Sequence, residues 1–177
     1  MSKTIIVYGL IVGIIIAASV ALSLSMGSGS EHIASLEWLG YAVMIIAFSV
    51  IFIAIKRYRD QELGGVIRFG QAFKLGVGIT LVASLIYVVA WEINLAVTDY
   101  AFMEEYSQSY IEMAAVDGAT DDELDALRAE MAAMTEQYKD PLFRVPITLL
   151  EIFPVGLLIT LISAAVLRKS EVLPASG

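Results

Sequence analysis

The chain has no cysteine, a single histidine (His32) and four prolines in 177 residues. Without cysteine there is no disulfide, no thiolate metal site and no cysteine nucleophile. One histidine excludes a multi-histidine metal site within one subunit. Positive charge is also scarce, with 11 Lys and Arg against 19 Asp and Glu and a net charge of −8. Nucleic acid, which needs a basic surface, is therefore excluded as a partner. No HExxH, GxSxG, P-loop or Rossmann fingerprint occurs, so no catalytic residue is assigned and no cofactor or metal is expected.

What the chain has instead is long apolar runs. Hydrophobic residues make up 58% of it and the mean hydropathy is +0.77, far above the apolar share of a soluble domain. Four runs, Thr4–Met26, Trp38–Ile55, Leu75–Val97 and Val145–Leu167, contain few charges or none. About 20 helical residues at ~1.5 Å each cross a ~30 Å hydrocarbon layer. Each run predicts a membrane span, and the length fits one compact bundle. Thr4–Met26 exceeds the ~7–15 residues of a signal-peptide core, so an uncleaved anchor is expected. Trp38 and Tyr41 open the second run, where aromatic belts form.

Between the spans, Gly27–Glu37 reads as a short polar loop. Gln61–Lys74 has two readings, an amphipathic segment on the membrane surface or the first turns of the third span. No Gly or Pro interrupts the chain from the third span to Gly118, which predicts that this helix continues outward as a stalk over Tyr100–Ala115. Val116–Ala119 is a turn, and Thr120 with Glu123 forms a capping-box pattern. Leu124, Leu127, Met131, Met134 and Tyr138 then recur at steps of three and four, a stripe that should pack on Tyr106, Tyr110, Met113 and Ala114. The fold class is thus all-α, an integral membrane four-helix bundle with an extramembrane helical hairpin, about 100–138, between spans three and four.

Lys and Arg set orientation. With the N-terminus inside, Lys3, Lys56, Arg57, Arg59, Arg68, Lys74, Arg168 and Lys169 fall inside, and Arg128, Lys139 and Arg144 outside. Both termini are therefore expected on the cytoplasmic side, with an acidic hairpin outside.

Two sets of residues stand out within the spans. Gly9, Gly13, Ala17 and Ala21 recur every four residues and form a smooth ridge for close helix packing, within the subunit or between copies. Counting from the basic anchors, Lys56 to Glu37 is 19 residues, Lys74 to Glu92 is 18 and Arg168 to Glu151 is 17. At ~1.5 Å per residue these acids would share one level roughly 25–28 Å above the inner anchors, with Asn94 and His32 able to reach the same rim. One reading makes them hydrated interfacial acids, Glu151 paired with Arg144 seven residues earlier or with a neighbouring helix. The other makes Glu37, Glu92 and Glu151 a proton- or cation-binding cluster. Pro154 lacks an N–H and leaves the Leu150 carbonyl without its usual helical partner.

Three stretches carry a resemblance. Tyr8-Gly9-Leu10 with Gly13, Arg68-Phe69-Gly70-Gln71-Ala72-Phe73-Lys74-Leu75-Gly76, and Glu151-Ile152-Phe153-Pro154-Val155-Gly156-Leu157-Leu158 resemble an uncharacterised bacterial inner-membrane family, catalogued as a domain of unknown function with four spans. The resemblance covers nearly the whole chain and implies no reaction, substrate or cofactor. Two functions are then expected. The first is a non-enzymatic membrane component in contact with lipid that binds a second copy or a membrane protein partner. The second is a small oligomeric carrier or channel for protons or cations.

Overall fold

The computed structural model describes residues 1–25, 30–168 and 173, with side chains outside 23–37. The described residues form α-helices α1 (Ser2–Ser25), α2 (Ser30–Glu62), α3 (Phe69–Val97), α4 (Phe102–Val116), α5 (Asp121–Tyr138) and α6 (Pro141–Leu167). Four of them are long and apolar enough to cross a membrane, over Ser2–Leu22, Trp38–Glu62, Phe69–Val97 and Pro141–Leu167. Helices are what a bilayer demands, because every backbone polar group must be satisfied within its own segment. The α4–α5 hairpin joins α3 to α6 at one end of the bundle. The α2–α3 turn, the start of α1 and the end of α6 lie at the other.

α3 is the centre, packed chiefly on α1 and α6, and α2 closes the bundle against α6 and α1. The core is built from Val12, Ile16, Ala47, Phe48, Ile51, Leu75, Ile79, Ala83 and Ile152, all at most 1% exposed. Outward faces carry Ile14, Ile46, Leu85, Val89 and Ile162, suited to lipid tails rather than water.

Several helix ends differ from the sequence expectation. α2 begins at Ser30, so most of the expected Gly27–Glu37 loop is helical, and it runs past Ile55 to Glu62. Polar residues carry no apolar period, and nothing between Ser30 and Glu37 breaks a helix. The 61–74 segment is the end of α2, a turn over Gly64 and Gly65 at positive φ, and the first turns of α3. There the Arg68 N–H donates to Gln71 Oε1 at 3.5 Å. The expected continuous stalk is also corrected, because α3 stops at Val97. Asp99 (φ 50°) and Tyr100 (φ 60°) are left-handed, and the Tyr100 N–H donates to the Leu95 carbonyl at 2.8 Å. This is a Schellman-type stop with Asp in the place usually held by Gly.

The hairpin turn closes in the same way around Gly118, with the Ala119 N–H on the Ala114 carbonyl at 3.0 Å. The Thr120 capping box is formed. Leu124 and Met131 of the α5 stripe are buried, whereas Met134, Tyr110 and Met113 remain 37–44% exposed. α6 starts at Pro141, with the Asp140 carboxylate accepting from the Leu142 N–H at 2.9 Å.

Candidate functional site: the seam between the third and fourth spans

The glycines set which helices can touch. A Cβ on Gly9 would lie 2.6 Å from Val82 Cβ, and one on Gly13 would lie 2.5 Å from Ile86 Cδ1. The ridge thus faces α3 within the subunit. Gly78 receives Ile5 from the other side. Ala17 is half-buried and Ala21 exposed, so close approach occurs at the two glycines.

α3 and α6 cross through a reciprocal device. Thr160 fills the space above Gly76, and Thr80 with Phe48 fills that above Gly156. The hydroxyls of Thr80 and Thr160 share a hydrogen bond at 3.3 Å. Spacings of four on both helices (Gly76/Thr80 and Gly156/Thr160) make the antiparallel match, and Gly lets the backbones close enough for the hydroxyls to meet.

That register determines which polar groups meet further along. The Tyr87 hydroxyl donates to Glu151 Oε2 at 3.4 Å. A level beyond, Arg144 Nε donates to Glu92 Oε1 at 2.7 Å and Nη2 to Oε2 at 2.6 Å, a two-pronged ion pair. Arg144 is 2% exposed. Its Nη1 donates to the carbonyls of Tyr138 at 2.8 Å and Lys139 at 3.3 Å. These are last carbonyls of α5, which have no partner inside their own helix. The guanidinium also sits 5.4 Å from the Tyr100 ring centroid and 5.7 Å from that of Tyr138. Trp91 Nε1 donates to the Tyr138 hydroxyl at 2.7 Å, and burial pushes the Tyr138 phenol up. One side chain therefore ties α3, the end of α5, the α3–α4 junction and α6 together. An Arg fork suits this because it holds a carboxylate with two parallel bonds and keeps a further N–H for the backbone.

The expected Arg144–Glu151 pair is overturned, since the partner of Arg144 is Glu92. Seven residues along one helix is ~10 Å of axial separation, whereas a neighbouring helix axis lies ~8–10 Å away with its side chains reaching inward. The expectation that Glu92 and Glu151 share a level fails for a related reason. Lys74 lies inside α3, whereas Arg168 follows the end of α6, so the two anchors were at different depths. Glu151 sits about two turns deeper than Glu92, half-way between the ion pair and the threonine pair. It is exposed, and Tyr87 beneath it is 5% exposed. Asn94 is buried beside the end of α3, its carbonyl accepting from the Thr98 hydroxyl at 3.0 Å. The side chains of Glu37 and His32 lie outside the described residues. Among the described residues no group of three His, Asp or Glu could hold a metal ion.

Sequence reading missed two features. An aromatic ladder runs Tyr87–Trp91–Phe102–Tyr106–Tyr110, with ring centroids 4.8–6.5 Å apart, from the span into the hairpin. Its spacing of four within each helix is visible in the sequence, but the jump from Trp91 to Phe102 needs the bend at Asp99. The second feature is Arg59. Fully buried at the end opposite the hairpin, it donates to Asp60 at 2.7 Å and to the carbonyls of Leu167 and Leu173. It satisfies the end of α6 as Arg144 satisfies that of α5.

A helical bundle with four apolar membrane-length helices and a hairpin fastened to it by a buried ion pair defines the class: a multi-pass membrane protein of all-α architecture. The family model described as Protein of unknown function (DUF4199) matches residues 7–169, and the chain belongs to that family. No curated protein and no solved structure matches it.

Proposed function

We propose that the protein is a non-enzymatic component of a bacterial inner membrane, and that its four spans hold the α4–α5 hairpin in a fixed pose to bind a partner. The observation that carries this reading is the Arg144 latch, which joins the hairpin base to α3 through Glu92 and to the α5 carbonyls. The hairpin has the character of a docking element. Between Asp99 and Asp140 it carries twelve of the chain's 19 acids, against the bases Arg128 and Lys139. Among these charges Tyr110, Met113, Val116 and Met134 are exposed. Apolar and aromatic residues ringed by charge favour a protein partner with a basic surface and an apolar centre. Association through the small-residue ridge is less favoured, because Gly9 and Gly13 already pack on α3. Transport through the three acids is less favoured too, because Arg144 neutralises Glu92.

A photoreactive residue at Met113 or Met134 of the full chain, in cells, tests this. The reading expects a discrete protein adduct from both positions, weakened by Glu112→Lys, and none from the lipid-facing Leu85. Adducts at neither hairpin position, or adducts unaffected by charge reversal, would count against it. Orientation follows from the basic residues: Ala119→Cys should react with an impermeant thiol reagent on intact cells and Ser170→Cys should not.

A further inference from the structure

Ser84 is fully buried in the middle of α3, and its hydroxyl has no hydrogen-bond partner. In a membrane helix this is costly, because a serine ordinarily donates back to a carbonyl of the preceding turn, as Thr80 does to Gly76 at 3.0 Å. The surroundings are polar on both sides. One turn towards the start of α3 lies the Thr80–Thr160 hydroxyl pair, and one turn towards the hairpin lies Tyr87 with its bond to Glu151. The α3–α6 register, in which Gly76 meets Thr160 and Thr80 meets Gly156, sets Ile152 and Glu151 across from Ser84. Elsewhere the seam satisfies itself: Thr148 donates to Arg144's carbonyl at 3.0 Å, and Thr80 and Thr160 meet each other. Ser84 is the single break among the described buried side chains.

We propose that the α3–α6 seam holds a buried water molecule at Ser84, which accepts from or donates to its hydroxyl and links the Thr80–Thr160 pair to the Tyr87–Glu151 pair. A buried polar group without a protein partner is the usual position of an internal water, which needs two to four polar neighbours. Hydroxyls one turn away on the same helix face and the Tyr87–Glu151 pair supply that number. The seam then becomes one hydrogen-bonded line from Thr160 to Glu151, in place of two separate pairs. The proposal does not depend on the hairpin having a partner.

The sign of one substitution separates the two states of Ser84. If the hydroxyl is dry, Ser84→Ala removes an unsatisfied group and raises the unfolding midpoint. If it holds a water, Ser84→Ala breaks a satisfied network and lowers it. Thermal unfolding of the full chain in one detergent is measured for wild type, Ser84→Ala, Tyr87→Phe and the double variant. The proposal expects a lowered midpoint for Ser84→Ala, and a Tyr87→Phe shift at least halved in the Ser84→Ala background, because both side chains share the water. An unchanged or raised midpoint, or additive shifts, would overturn it. Radiolytic labelling of the wild-type chain in 18O water needs no variant to fold. With each rate divided by that of the free amino acid, incorporation into the buried Tyr87 above that of buried Phe48 is expected, and equal normalised rates would overturn the proposal.

Discussion

Arg144 and Glu92 are 52 residues apart in sequence and joined by two parallel hydrogen bonds of 2.7 and 2.6 Å. Arg144 thereby passes over the acid on its own helix. The pair is buried on the arginine side and about one-third exposed on the glutamate side. Losing either partner strands the other, and Arg144 cannot shed its proton. Arg144→Ala and Glu92→Ala should each cost about 3–5 kcal/mol of stability. Glu151→Gln, which keeps an acceptor for the long bond from Tyr87, should cost about 1 kcal/mol. Unfolding midpoints in a single detergent at neutral pH provide the comparison; a larger loss for Glu151→Gln would contradict this assignment of partners.

The ridge on α1 separates a packed position from an open one on the same helix. Gly13→Leu drives its side chain into Ile86, since even a Cβ would lie 2.8 Å from Ile86 Cβ, and should cost about 1–3 kcal/mol by overpacking. Ala21→Leu adds its bulk on an exposed face and should leave the midpoint within about 0.5 kcal/mol of wild type. Equal effects of the two would mean that Gly13 does not face α3.

The hairpin has its own dependence on pH. Glu123 accepts from the Thr120 N–H and hydroxyl, both at 2.8 Å, and these bonds, the backbone one foremost, hold its carboxyl below the ordinary 4.5. A depressed folded value means that the stabilisation is present above the unfolded value and is lost as pH falls through the folded one. Hydrogen-exchange protection of the Glu123 and Leu124 amides should therefore drop as pH is lowered below about 4.5, after correction for intrinsic rates. Thr120→Ala should show less protection at neutral pH and a flatter profile. A wild-type profile as flat as that of the variant would remove the capping role.

The spans were legible because apolar runs with at most one internal acid, and as long as a bilayer is thick, have few other uses. The Thr120 cap was legible because both of its partners lie within four residues. The end of α3 was not, because its stop uses Asp99 in a left-handed conformation, which Asp tolerates but seldom signals. The partner of Arg144 was hidden for a different reason. It depends on the α3–α6 register, and that register is fixed at Gly76, Thr80, Gly156 and Thr160, far from the arginine in sequence. The acids looked level because the basic anchors used to measure depth occupy unlike positions in their helices. Ser84 gave no signal at all, since a serine in a span usually bonds to its own helix.

The central claim is that Arg144 holds the hairpin in one pose on the bundle. It is tested most directly by a spin-label distance in this cysteine-free chain, between Asp117→Cys at the hairpin turn and Lys74→Cys near the start of α3. Arg144→Met/Glu92→Leu is the informative background. It replaces the ion pair with apolar groups, an exchange that is often neutral or stabilising, while leaving the Tyr138 and Lys139 carbonyls without their donor. Wild type should give a single narrow distance distribution, and the double replacement a distribution at least twice as broad while the chain remains folded. Equally narrow distributions in both would contradict the claim.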